Sequence, residues 1–246
     1  MSGTSDLSSM KDVRQRLAGV AEAIARAAAR VSRDPASVTL VAVSKRKSVG
    51  EMQQYAEAAS ARGISVIFGE SYVQELKAKR GELSVPGDIH LIGPLQSNKV
   101  RDAVRLTDVI ESVHSRKIIA AIAQEARAIG KRQSILLQVN IGHDPQKSGF
   151  SAEEIASVCK EISVYGDCLA LQGLMTITPL YAVVEDVRRD FKAMRELREA
   201  LVTSRVHLYF ESHTILLSMG MSSDFEIAIE EGADIIRVGT ALFGDR

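Results

Sequence analysis

The chain has 246 residues, 46% of them hydrophobic, and its 31 basic side chains balance 31 acidic ones to a formal net charge of zero. Neutrality speaks against an extended nucleic-acid or anionic-membrane surface, which needs a basic excess to displace counterions, but leaves room for one small positive pocket. Two cysteines, Cys159 and Cys168, are too few for a disulfide framework or a metal cluster and read as incidental thiols of a reduced intracellular protein.

The opening stretch "MSGTSDLSSM" lacks the apolar core of a secretory signal, and residues 1–9 are expected to be disordered. Residues 10–32 follow with helical periodicity, rich in Ala, Leu and Ile. Arg14, Arg16, Arg26, Arg30 and Arg33 give this segment a presequence-like charge, which Asp12 and Glu22 interrupt. A cytoplasmic location is the default and a mitochondrial one is not set aside; no apolar segment is long enough to span a bilayer.

Short apolar runs then recur, each followed by a helical stretch. They are "VTLVAVS" (38–44), "ISVIF" (64–68), "DIHLI" (88–92), "DVIES" (108–112), "SILLQVN" (134–140), "CLALQGLM" (168–175), "ILLSM" (215–219) and "DIIRV" (234–238). Capping boxes are predicted at Ser48-x-x-Glu51, Ser151-x-x-Glu154 and Ser223-x-x-Glu226, and a helix start at Thr178-Pro179. Gly63 and Gly130 fall where helices end. The stretch "LVTSRVHLYFESHT" (201–214) reads as an additional short strand or a long loop.

Apolar strands alternating with helices predict a parallel sheet covered on both faces. Eight such units predict one closed (β/α)8 TIM barrel over 1–246, against the alternative of an open doubly wound sheet. The ending "GTALFGDR" leaves no room for a full eighth helix, and the extra N-terminal helix is expected to fill that gap in the outer ring.

In such barrels the site forms at the C-terminal ends of the strands, and a phosphate is often held after strands seven and eight. Here those loops read "MGMSSDFE" and "GTALFG", with Ser222, Ser223, Gly239 and Thr240 as small or hydroxyl-bearing residues that let backbone amides approach an anion. Arg237 inside the eighth run is costly unless paired, so it either faces a polar site or forms an ion pair with a carboxylate of a neighbouring strand. At the end of the first run, "SKRK" offers three cations. Arg46 stays protonated and cannot form an imine. Lys45 shares the alternation face of Val41 and Val43, whereas Lys47, just before the capping Ser48, is expected to reach water. A lysine facing a phosphate site across a barrel mouth suggests an aldehyde-bearing phosphorylated cofactor, pyridoxal 5'-phosphate.

The segments "VAVSK", "FGESYVQE", "IHLIGPLQSNK", "LLQVNI…KSGF", "GLMTI" and "LSMGMSSDFEIAI…GADIIRVGTALFG" occur in order from about 38 to 244. Together they resemble the YggS/PROSC-like family of pyridoxal phosphate homeostasis proteins, whose barrel is of the alanine racemase N-terminal-domain type. The resemblance implies that Lys45 forms the Schiff base with pyridoxal 5'-phosphate. It also implies that Ser222, Gly239 and Thr240 hold the phosphate, with Ser223 beside them, and that Arg237 lies near the pyridine nitrogen. Ser71 stands where the family usually has an asparagine near the cofactor, and His114 where an aspartate is common; for His114 the residues point to a loop position without a role.

A racemase needs a base on each face of the planar intermediate. Lys45 supplies one; in alanine racemase the other is a tyrosine of an additional β-domain, and none of Tyr55, Tyr72, Tyr165, Tyr181 and Tyr209 matches it. The sequence therefore favours a protein that holds and delivers the cofactor, with weak racemase or transaminase activity as the alternative. The partners implied are pyridoxal phosphate itself and, transiently, apo-enzymes that use it, for a monomer or weak dimer.

Overall fold

The computed structural model describes residues 3–84, 86–179 and 183–244, with only the backbone for 3–12. Eight strands, β1 (Thr39–Val43), β2 (Ile67–Glu70), β3 (Asp88–Leu91), β4 (Val109–Val113), β5 (Gln133–Gln138), β6 (Leu169–Met175), β7 (Leu216–Ser218) and β8 (Ile235–Val238), form a closed barrel in chain order. Every neighbouring pair is parallel, and β1 closes the ring on β8 with Thr39 opposite Ile235 and Val41 opposite Arg237. Each strand overlaps one of the eight apolar runs, with β2, β4 and β5 reaching one or two residues beyond theirs. The largest offset is at β2, because Ile64 is drawn into the preceding helix end through its amide bond to Ala59.

Alternation splits the core in two. Val41, Ile67, Val109, Leu136, Met175 and Ile235 pack together as one cluster, while the opposite faces join a larger cluster beneath the helices. The barrel is thus filled at its waist rather than open, as expected for eight strands.

The helices are α1 (Gly3–Arg30), α2 (Val49–Ser60), α3 (Val73–Arg80), α4 (Val100–Leu106), α5 (Arg116–Ala128), α6 (Ile155–Ile162), α7 (Val184–Thr203), α8 (Phe225–Glu230) and α9 (Thr240–Phe243). With α9 reduced to a single turn, α1 takes the vacant place in the outer ring and packs on α2, α8 and α9. Val13, Leu17, Val20, Ile24, Ala27 and Ala28 form its buried stripe. Two arginines serve the same contact: Arg30, the last residue of α1, pairs with Glu226 and Glu230, both at 2.6 Å, and Arg33 just beyond it donates to the carbonyls of Ile229 and Ala233. The expectation of disorder over 1–9 concerns residues that are either undescribed or described in backbone only.

Capping boxes are present at Ser48 and Ser151, and Gly63 and Gly130 take φ of 68° and 65° at helix ends. Two predicted starts are displaced. The helix after β7 begins on Asp224, whose carboxylate takes the Met221 amide at 2.6 Å, so Ser223 caps nothing. The helix after β6 begins at Val184, not at Thr178; the Thr178 carbonyl is instead engaged by Lys147. Residues 201–214 contain no strand: after α7 come two 3-10 turns, Val206–Tyr209 and Glu211–His213, around the buried Phe210. Arg132 grips Glu211 through both carboxylate oxygens at 2.9 and 2.8 Å and holds the segment down.

Candidate functional site at the C-terminal mouth

The chain leaves β1 through Ser44 and turns sharply, with Lys47 donating its amide to the Ser44 carbonyl and Arg46 in the left-handed region at φ 61°. A non-glycine residue holds that conformation only when its surroundings demand it. Here the demand comes from α3: Glu75 accepts the Arg46 amide, and Lys79 reaches the Ser44 carbonyl at 2.8 Å, Glu70 at 3.0 Å and Glu75 at 2.6 Å. Ser44 donates its own hydroxyl to Glu70 at 2.7 Å. Burial pushes the Glu70 carboxyl above its ordinary value despite the Ser44 hydrogen bond and the Lys79 charge.

Lys45 takes no part in this clamp. It lines a cavity of about 370 Å³ together with Val43, Arg46, Lys47, Gly239, Thr240 and Gly244. Among the described residues its side chain makes no hydrogen bond or ion pair. Lys47 differs from expectation. Its side chain is 15% exposed, pairs with Glu51 at 3.3 Å and lies 5.8 Å over the Phe243 ring, so it is packed rather than solvated.

Beside Lys45, the turn after the neighbouring β8 is fixed by Ser222, whose hydroxyl oxygen accepts the amides of Gly239 at 3.0 Å and Ala241 at 3.4 Å. A side chain at Gly239 would come within 3.3 Å of Val43 Cβ, which keeps this position small where β8 passes β1. Gly220 ahead of Ser222 has φ 94°, and an added Cβ there would lie 2.5 Å from that of Ala228. Thr240 is exposed at the rim; Ser223 is exposed too and turns its hydroxyl to Asp224 at 3.4 Å. Ser71 lies just beyond β2, half-buried, with its carbonyl against Gly93. The structure therefore gathers Lys45, Gly239 and Thr240 around one cavity and ties Ser222 to it; Ser71, Ser223 and Arg237 are not in its walls. His114 is a loop residue whose ring meets the Ser112 carbonyl.

Arg237 is paired, but with a carboxylate across the barrel on β4 and not on a neighbouring strand. It is 3% exposed inside the barrel, donates to Ser218 Oγ at 2.5 Å and to the Thr176 carbonyl at 2.7 Å, and lies 3.8 Å from Glu111. Glu111 also accepts from Ser218 at 2.5 Å and meets His90 Nδ1 at 2.6 Å. Burial alone would raise the Glu111 carboxyl, but the His90 hydrogen bond, the Arg237 charge and the Ser218 hydrogen bond outweigh it and hold it below the ordinary value. Glu111 and His90 carried the same signal as Arg237, a charged or polar side chain inside an apolar run, and were passed over. Lys147 was also missed; its ammonium donates to the carbonyls of Ile177 and Thr178 at the end of β6.

Comparison with known proteins follows this geometry. The family model described as "Alanine racemase, N-terminal domain" matches residues 17–246. A Pseudomonas aeruginosa protein named "Pyridoxal phosphate homeostasis protein" is 37% identical over 238 residues, covering 96% of this chain and 97% of its own. The solved structure of PipY from Synechococcus elongatus with PLP bound is 34% identical with a TM-score of 0.79, covering 94% of this chain and 100% of PipY. An alanine racemase of Clostridium difficile, 14% identical with a TM-score of 0.72 over 96% of this chain and 57% of its own, shares the fold.

Proposed function

Because the chain belongs to the pyridoxal phosphate homeostasis proteins, on the alanine racemase N-terminal-domain barrel, we propose that it binds pyridoxal 5'-phosphate and contributes to vitamin B6 homeostasis. Lys45 holds the aldehyde as a Schiff base, while Ser222, Gly239 and Thr240, with Ser223 at the rim, hold the phosphate. The observation that carries this reading is the cavity itself, lined both by a primary amine without a partner among the described residues and by the small-residue turn after β8. The residues fit the group: the amine matches an aldehyde, and the hydroxyls and backbone amides of the two anchored loops match a phosphate. The bound cofactor supplies an electrophilic carbonyl. Ser71 and Arg237 contribute from the flanks, Arg237 toward the pyridine nitrogen.

A cationic partner at that nitrogen leaves it unprotonated, which makes the cofactor a weaker electron sink and suits holding over carbanion chemistry. The protein accordingly stores the reactive aldehyde and hands it to apo-enzymes. Purified protein is expected to be yellow, and borohydride to fix the cofactor on the Lys45 peptide; an adduct on Lys47, or none, overturns the assignment. Free amino acids incubated with the loaded protein in heavy water are expected to keep their α-hydrogen, whereas exchange would establish racemase-type chemistry.

A further inference from the structure

The polar groups around Arg237 form an unbroken line through the barrel. His90 on β3 lines a second cavity of about 370 Å³ at the N-terminal end, shared with Thr39, Asp88, Asp108, Ser134 and Asp234. From that floor the contacts run from His90 to Glu111 on β4, to Ser218 on β7, to Arg237 on β8 and to the Thr176 carbonyl after β6, each between 2.5 and 2.7 Å. The line spans the barrel, because β4 and β8 are opposite in an eight-stranded ring.

Glu111 is ionised, so His90 Nδ1 carries the hydrogen of their contact, and Nε2 is the nitrogen left to accept a second proton. The charged groups facing this ring are Glu111 on β4 with Arg237 beyond it, Asp88 on its own strand, and Asp108 and Asp234 at the feet of β4 and β8. Asp234 is already engaged by Arg33 and Arg198, and Asp108 takes the Ile89 amide. Glu111, the carboxylate in direct contact with the ring at 2.6 Å, is the anion that a protonated ring would claim. It is the same anion that neutralises Arg237.

We propose that His90, Glu111 and Ser218 are positioning residues for Arg237, and that uptake of a solvent proton at His90 Nε2 draws the Glu111 charge toward the imidazolium and strengthens the field of Arg237 toward the opposite mouth. The only bond made is N–H. This rests on the reading that pyridoxal phosphate occupies that mouth with its pyridine nitrogen near Arg237. An anionic, nitrogen-accepting ligand there is then held more tightly when His90 is charged, and by linkage the ligand favours the charged ring.

The test compares wild type with His90→Gln, which keeps an N–H toward Glu111 but does not titrate, by equilibrium dialysis of pyridoxal phosphate from pH 5.5 to 8. The ratio of wild-type to variant affinity is expected to rise about fivefold toward the acid end, the low end of ordinary coupling between two sites. The NMR titration midpoint of His90 in the wild type is expected to move up by about 0.7 pH unit on loading, the same factor read from the other side. Ser218→Ala, which removes the bridge and leaves His90 in place, is expected to reduce both effects to less than twofold. A ratio that stays flat with pH, or a His90 midpoint indifferent to the cofactor, overturns the relay while borohydride labelling of Lys45 leaves the binding reading intact. If no protein labels at Lys45, the binding reading fails and the relay falls with it.

Discussion

Lys79 on α3 donates to the carbonyl of Ser44 at 2.8 Å, so the residue before Lys45 is fastened by an ammonium from the next unit of the barrel. The same ammonium pairs with Glu70, which is fully buried. Lys79→Met leaves that carboxylate without its cation and is expected to destabilise the fold by about 3–5 kcal/mol, measured by denaturant unfolding. A loss below about 1 kcal/mol would mean that the clamp carries no weight. Because the Lys45 turn loses its anchor, cofactor affinity is expected to fall in the variant even under conditions where it remains folded.

The two buried glutamates respond to pH in opposite senses. Glu111 has its carboxyl held below the ordinary value of 4.5, so its stabilisation is present above that value and is lost as pH falls through the folded one. The advantage of wild type over Glu111→Gln is therefore expected at neutral pH and should shrink in acid. Glu70 has its carboxyl raised above 4.5, so its ionisation costs stability as pH rises through and above that value. Wild type is expected to compare best with Glu70→Gln in acid and to lose ground toward neutrality. Thermal unfolding of the three proteins between pH 4 and 7 checks both signs.

Ser222 joins the loops after β7 and β8, beside Lys45, by accepting the Gly239 and Ala241 amides. Ser222→Ala frees those amides but removes the hydroxyl that sets the turn. Cofactor affinity is expected to drop about tenfold, the worth of one charge-assisted hydrogen bond, with borohydride labelling still confined to Lys45. Unchanged affinity by equilibrium dialysis would place the phosphate elsewhere.

On α1, packing and charge can be weighed separately. Leu17 is fully buried, and Leu17→Ala is expected to cost about 2–5 kcal/mol through the cavity it leaves. Arg30 is 49% exposed, and despite two short contacts Arg30→Ala is expected to cost no more than about 1 kcal/mol. Chemical denaturation ranks the two. The reverse order would mean that the arginine, and not the apolar stripe, docks the helix.

The strands were legible because each is a short apolar run, and closure followed from their number together with the helix needed to complete the ring. Lys45 is singled out in two steps, first by its alternation with Val41 and Val43, then by the family resemblance; the structure adds the cavity that it lines. Ser223 misled because the helix starts one residue later, on Asp224, whose carboxylate turns back to the Met221 amide. Lys47 misled because its partner Phe243 lies 196 residues away, beyond any local pattern. The line from His90 to Arg237 was hidden for the same reason: each member stood out in its own strand, but only closure of the sheet brings them into register.

The contact between α1 and α8 has a consequence for how the molecule comes into being. Arg30 meets Glu226 and Glu230 across 196 and 200 residues, beside a seam where β1 pairs with β8. During synthesis β1 emerges early and must wait, with one bare edge, for the strand that will seal it. Such long-range pairing is slow, and an unpaired edge invites the wrong neighbour. Docked on the side of β1 that will face α8, α1 is available from the start and latches late. A nascent chain therefore spends most of its elongation as an open scroll, and the cavity beside Lys45, whose walls come from both sides of the seam, is completed last.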